Sequence, residues 1–286
     1  MERKPDRKQI KEWIAEYVLE SPRNTLHVPE GLPAWDVPII GIAAGEDTIF
    51  TDYKEHIGLH HWTPAEAFRE HFPEWDGAAE DLSVIAWILP QTERTKNENR
   101  RATKFPSESW IRSRIFGEQM NESLRRDFVE WLENFGVRAM APMLSARWKR
   151  FGWETSTWSE RHAAYAAGLG TFGLCDGLIT PLGKAVRIGS VIAEMFLEPD
   201  MRPYKDHHEY CLYYRDGSCT ACIDRCPAGA ISGKGHDKSL CNAYCHGVIE
   251  EYSMREFGLP GYGCGLCQTN VPCESTIPGK DKPSGS

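Results

Sequence analysis

Nine of the chain's ten cysteines fall in its C-terminal quarter, between Cys211 and Cys273. The first part of that stretch reads Cys219-Thr-Ala-Cys222-Ile-Asp-Arg-Cys226-Pro227, a C-x2-C-x3-C-P run followed by Ala-Gly-Ala-Ile231. The second part reads Cys264-Gly-Leu-Cys267-Gln-Thr-Asn-Val-Pro-Cys273, with Cys241 and Cys245 between the two. Thiolates paired two residues apart, a third closed by Cys-Pro and a second set downstream are what a module with two 4Fe–4S clusters requires. Zinc sites built from the same pairs are the alternative. The Cys-Pro after a three-residue gap, with Ala-Gly-Ala-Ile behind it, fits a ferredoxin-type turn better. His207, His208, His236 and His246 lie close by and are read as surface residues or supports of the thiolates.

A second stretch could also carry chemistry. Glu160-Arg-His-Ala-Ala-Tyr-Ala-Ala-Gly168-Leu169-Gly170-Thr171-Phe172-Gly173 is a helix running into three closely spaced glycines. Such glycines let backbone approach a ligand or another backbone closely. Taken alone, a glycine-rich helix end is an ordinary cap.

Elements must position these residues. Ile10, Trp13, Ile14, Tyr17 and Val18 recur at helical spacing over residues 6–20. The apolar run from Val37 predicts a buried strand, and Leu82 to Leu89 predicts the central one. Thr63-Pro64-Ala65-Glu66 and Thr157-Trp158-Ser159-Glu160 both read as capping boxes, the second opening a helix that stops at Gly168. Residues 109–135 keep one apolar face and read as the longest helix, capped by Gly136. Val137–Ala141 is a further strand candidate. Gln91–Lys104 reads as a polar loop, with Lys96, Arg100, Arg101 and Lys104 as a solvated charge run. Leu178-Ile-Thr and Lys184–Ala193 read as a hairpin. Pro199 and Pro203 mark a boundary, giving domains of residues 1–200 and 201–286.

Composition sets the frame. The length of 286 residues suggests about two domains. The N-terminus is charged, with no apolar signal core behind it, and no segment approaches the roughly 18 apolar residues of a membrane span. A cytoplasmic location without membrane association is the default, and there the cysteines serve metal or cluster binding rather than disulfides. A net charge of −8 speaks against broad non-specific binding to nucleic acid.

The two stretches together resemble the epoxyqueuosine reductase family and, more distantly, the reductive dehalogenases. The resemblance lies in Glu160-Arg161 followed by Ala-Gly-Leu-Gly, Gly173, Leu178-Ile179 and the Arg187–Gly-Ser190 segment. It continues through the C-x2-C-x3-C-P run, Asp237-x3-Cys241-x2-Tyr244 and Tyr262-Gly-Cys-x2-Cys-Gln268. It implies an α/β (α+β) fold, with a nitroreductase-like N-terminal domain for corrinoid and substrate and a ferredoxin-like two-cluster domain behind it. Crossed ligation then gives one cluster to Cys211, Cys219, Cys222 and Cys273 and the other to Cys226, Cys241, Cys264 and Cys267. Cys211 is preferred to Asp216, which stands at the family's opening ligand position. A cobalamin is expected against Gly168, Leu169, Gly170, Thr171, Phe172, Gly173, Cys175 and Ser190. Cys175 stands where the family has an amide-bearing residue, and facing the corrin or being a small buried hydrophobe are both open for it. Glu154, six residues before Glu160, corresponds to the family's proton donor, and Trp153 and Trp158 are the apolar neighbours that would raise its pKa.

The functional expectation is a reductase. It would take electrons from an external ferredoxin- or flavodoxin-type donor through two 4Fe–4S clusters to a cobalamin and on to a substrate. Family members that act on tRNA carry a helical-repeat domain after this point. The chain ends soon after Cys273 and is acidic, so a small-molecule substrate is expected ahead of tRNA. A carrier or corrinoid-handling protein without turnover and a tRNA epoxyqueuosine reductase are the alternatives.

Overall fold

A computed structural model describes residues 3–279. The chain divides into two compact units, each assembled from several segments. The first takes the chain up to Leu89, Phe116–Leu169 and Arg187–Pro203; the second takes Pro90–Ile115, Gly170–Val186 and the chain from Tyr204.

The first unit is a mixed α/β structure around a four-stranded sheet, in the order Ile39–Ala44, Ser83–Pro90, Val186–Ala193, Ala139–Met140. Ile39–Ala44 and Ser83–Pro90 run antiparallel with Ile39 opposite Ile88 and Ala44 opposite Ser83. Every residue of Ser83–Pro90 is buried, as its near-continuous apolar run requires of a strand covered on both faces. The helix Arg7–Glu20 opens on a capping box at Asp6 and turns Ile10, Ile14 and Val18 inward. These join Leu124, Phe128 and Leu132 of the helix Glu118–Asn134 and Ile85, Trp87 and Leu89 of the sheet in one apolar core. Trp87 is fully buried, and its Nε1 donates to Asn121 Oδ1 at 2.9 Å.

The second unit has few regular elements. It holds the helices Glu93–Arg101, Glu108–Arg112, Lys238–Ala243 and Glu250–Phe257, several shorter turns and two-residue strand pairs. Among the described residues, no helix is long and apolar enough to cross a membrane.

Four local expectations are corrected. Within Gln91–Lys104, Glu93–Arg101 is a helix: Thr92 caps it, and the buried Thr95 and Asn99 anchor its inner face without apolar residues. The stretch 109–135 is not one α-helix, because Ser113–Gly117 widens into a π-turn between Glu108–Arg112 and Glu118–Asn134. Helix Glu160–Ala166 begins after Ser159, and no side chain caps it there. Leu178–Ile179 pairs with Thr171–Phe172, whereas Val186–Ala193 joins the large sheet.

Candidate metal centre

Eight thiols of the second unit gather into two groups of four. Cys175 sits in the turn between Thr171–Phe172 and Leu178–Ile179, Cys222 on the short helix Ala221–Asp224 and Cys267 in the turn Leu266–Gln268. The charged neighbours of the Lys184 side chain are Cys175, Cys273, Cys267 and Cys222. Lys184 is 3% exposed, and its Nζ donates to Cys175 Sγ at 3.2 Å. Hydrogen bonds with Cys222 and Cys267, reinforced by Lys184, hold the Cys175 thiol well below its ordinary range. The same bonds push Cys222 and Cys267 up. Burial alone would lower Lys184, but the four surrounding sulfurs outweigh it and keep the ammonium charged.

The second group is Cys226, Cys241, Cys245 and Cys264. Cys241 lies on the helix Lys238–Ala243 and Cys245 in the π-turn Tyr244–Ile249, four residues on, which places both on one face. A hydrogen bond with Cys241, together with backbone bonds from Cys264 and Gly263, lowers Cys245 to about 6, while burial pushes Cys264 up to about 12. Cys226 Sγ accepts from the Ala230 N–H at 3.3 Å.

Neighbouring groups fix these loops. Arg225, inside the C-x3-C interval, donates to the carbonyls of Ala102 at 2.7 Å, Thr269 at 3.1 Å, and Asn99 and Leu266 at 3.2 Å. One guanidinium thereby ties the end of helix Glu93–Arg101 to the loop that carries Cys267. Gly265 lies at φ +62°, and a Cβ there would stand 1.9 Å from the Trp110 ring, so Cys264-Gly-Leu-Cys267 admits no other residue. Gly183 at φ +80° is pressed against the Glu274 carbonyl, and the Lys184 N–H donates to the Cys273 carbonyl at 2.9 Å.

Of the remaining candidates, Cys211 is buried at the start of helix Leu212–Asp216, near enough to act electrostatically on Cys273. Cys219 is half-buried. Asp216 is exposed, hydrogen-bonded by the Ser218 N–H at 2.9 Å and by Arg215 at 3.1 Å. His208 lies over Tyr214 and meets the Phe172 carbonyl, His236 meets Asp176, and His246 stacks on Tyr262. All ten cysteines are free thiols. Among the described residues, no three His, Cys, Asp or Glu groups converge as ligands of one metal ion. A 4Fe–4S cluster is instead held by thiolates that stand around a larger body. Two sets of four thiols, three of them buried and five half-buried, suit that donor requirement.

The residues named for a corrinoid are divided between the units: Gly168, Leu169 and Ser190 in the first, Gly170, Thr171, Phe172, Gly173 and Cys175 in the second. The protein's own packing accounts for them. A Cβ at Gly168 would meet the Met201 carbonyl at 2.9 Å, and one at Gly170 would meet the Ile179 carbonyl at 2.3 Å. Thr171 is buried and accepts from the Tyr210 N–H. Ser190, fully buried, accepts from Trp158 Nε1 at 3.0 Å and donates to the Glu160 carboxylate. Glu160 in turn meets the buried Arg125 at 3.0 Å, and Arg125 reaches Glu118 at 3.3 Å and the Ile188 carbonyl at 3.1 Å. Burial pushes the Glu160 carboxyl up against the pull of Arg125 and Ser190.

Glu154 lies at the tip of the hairpin Arg150–Phe151/Thr155–Ser156, exposed, accepting from the Trp153 N–H at 3.0 Å. Trp158 is buried beside Ser190, whereas Trp153 is 43% exposed. Arg150 lies 4.8 Å over Trp153 and 5.8 Å from Trp148. Arg147, Lys149 and Phe151 complete an exposed basic and aromatic surface.

A mixed α/β unit and a thiol-rich unit lie in one chain. No family model matches the chain. It is 36% identical over 207 residues to the epoxyqueuosine reductase of Bacillus anthracis, which is 66% of this chain and 47% of that relative. A catabolic reductive dehalogenase solved with 3-bromo-4-hydroxybenzoic acid has a TM-score of 0.53 at 13% identity, over 95% of this chain and 37% of that one, a likeness of fold. An epoxyqueuosine reductase solved with a tRNA-Tyr epoxyqueuosine-modified stem loop has a TM-score of 0.48 at 21% identity, over 93% of this chain and 66% of that one. Over those 207 residues the chain is similar to the epoxyqueuosine reductases. It spans about half the length of the curated relatives it matches. The expectation of a small-molecule substrate ahead of tRNA is overturned by these relatives: the curated ones are epoxyqueuosine reductases.

Cys245, Lys184 and Arg225 were missed from the sequence. Cys241-x3-Cys245 at helical spacing was the available signal for the first. Nothing local marked the other two.

Proposed function

We propose that the chain is an iron–sulfur reductase acting on epoxyqueuosine in tRNA. The observation that carries the reading is the gathering of eight thiols into two groups of four. When bound, 4Fe–4S clusters supply one-electron transfers, and a pair of them holds the two electrons that reduction of an epoxide to an alkene consumes. That reduction also takes two protons and releases water. Glu154, on its exposed hairpin, is the proposed source of a proton, and it needs the bound substrate to exclude water around it. Trp153, Phe151, Lys149 and Arg150 surround it with stacking faces and positive charge, the combination that unpaired RNA bases and phosphates require. The net charge of −8 therefore leaves a local basic surface intact.

In this reading residues 1–200 form the nitroreductase-like substrate part and residues 201–286 the core of the ferredoxin-like cluster part, which Pro90–Ile115 and Gly170–Val186 complete. The test is anaerobic reconstitution of the full chain, metal and sulfide analysis, and incubation with a reductant and an epoxyqueuosine-modified tRNA stem loop. Mass spectrometry should show loss of one oxygen from the nucleoside. A fully loaded protein that leaves the nucleoside unchanged sinks the reading.

A further inference from the structure

Resting on that reading, we infer that Cys175 is a cluster ligand, acting with Cys222, Cys267 and Cys273, and that Lys184 is the built-in counter-charge of that cluster. Sequence spacing points elsewhere, since Cys175 lies far upstream of the cysteine-dense quarter. Three observations carry the inference. The Cys175 thiol is buried and hydrogen-bonded with those of Cys222 and Cys267. Its turn is built to deliver it there: Asp176 takes a left-handed φ of 58°, and a Cβ at Gly177 would stand 3.4 Å from the sulfur and 3.6 Å from the Lys184 side chain. The Lys184 side chain has these four sulfurs as charged neighbours and its own N–H bonded to the Cys273 carbonyl.

The charge balance follows from the chemistry. On ligation a sulfur–iron bond replaces the Cys175 S–H bond, and the proton leaves to solvent. Four thiolates on a 4Fe–4S core give a net negative body, and one-electron reduction by an external donor adds another negative charge. A buried ammonium 3.2 Å from the Cys175 sulfur offsets that charge and favours the reduced state, because net charge and hydrogen bonds to sulfur set such potentials. Lys184 is therefore a positioning and tuning residue, not a catalytic one.

The experiment uses the full chain, reconstituted anaerobically, as wild type, Cys175→Ser and Lys184→Gln. Wild type should hold about eight irons per chain, and Cys175→Ser about four, with one reduced-cluster electron paramagnetic resonance signal lost. Lys184→Gln should keep its iron but show one midpoint potential shifted negative by about 59 mV, a tenfold change in a one-electron reduction equilibrium. Full iron and an unchanged spectrum in Cys175→Ser overturn the ligand assignment, and an unmoved potential in Lys184→Gln overturns the counter-charge. Should Cys175→Ser fail to fold, Lys184→Gln and Cys175→Ala still decide. Wild type without iron sinks the parent reading as well, whereas loaded wild type beside loaded Cys175→Ser sinks this inference alone.

Discussion

The two units solve the problem of buried charge in opposite ways. In the first, the buried Arg125 faces counter-ions: it stands between Glu118 and Glu160, and Ser190 and the Ile188 carbonyl take further bonds. That network sits beside an apolar core of sheet and helix that is complete in itself. In the second, buried thiols surround one ammonium, and backbone carbonyls converge on one guanidinium. Few regular elements support them. One unit is stabilised by what its sequence already contains, the other by what its thiols would bind, and the contrast predicts separate responses to the same insult.

The largest effect should come from iron. Stripping iron with a chelator under reducing conditions should remove the second unit's protection against proteolysis and leave the first unit resistant, because ligand binding and folding are coupled where a core is small. Equal protection of both units after stripping would break the contrast. In the first unit, Arg125→Ala takes the buried cation from Glu160, while Glu118 keeps Arg187, and should cost about 3 kcal/mol in denaturant unfolding while iron content stays unchanged. In the second, Arg225→Ala removes charged hydrogen bonds worth about 1.5–3 kcal/mol and should speed iron loss to a chelator without moving the first unit's transition. Trp153→Ala should weaken binding of a tRNA stem loop by about 1–3 kcal/mol, read by fluorescence titration, with both units' stabilities unaltered.

The smallest effect is a pH dependence. The hydrogen bond from Arg138 holds Glu194 below its ordinary range. The pair's contribution is present above the ordinary carboxylate value and fades as pH falls through the lower folded value. Glu194→Gln should slightly flatten the acid limb of the first unit's unfolding. An unchanged slope would mean that the partly exposed pair contributes nothing there.

Legibility differed between the units for the same physical reason. The core strand Ser83–Pro90 and the helix Arg7–Glu20 were readable because apolar periodicity is their cause. The C-x2-C-x3-C-P run marks where thiols gather, but Cys219 stands outside both groups of four, and Cys222 and Cys226 fall in different groups. The partner of each thiol was not readable, since Cys175 meets Cys222 and Cys267 only through the fold. Helix Glu93–Arg101 was hidden because it is held by buried polar groups and ion pairs, Arg100 meeting Glu274 at 2.7 Å and Glu93 at 2.8 Å, and carries no apolar face. Glu160 and Ser190 were seen as a motif, but their mutual bond explains them as structure.

The contact between Gly183–Lys184 and Cys273–Glu274 has a consequence for biosynthesis. Residues that leave the ribosome well apart must meet before the thiols around Lys184 are assembled. Maturation of that centre is therefore expected to be post-translational or nearly so. Until then Cys175 would wait as a reactive thiol in the nascent chain, and an oxidising pulse during synthesis should damage the protein more than the same pulse given after iron insertion.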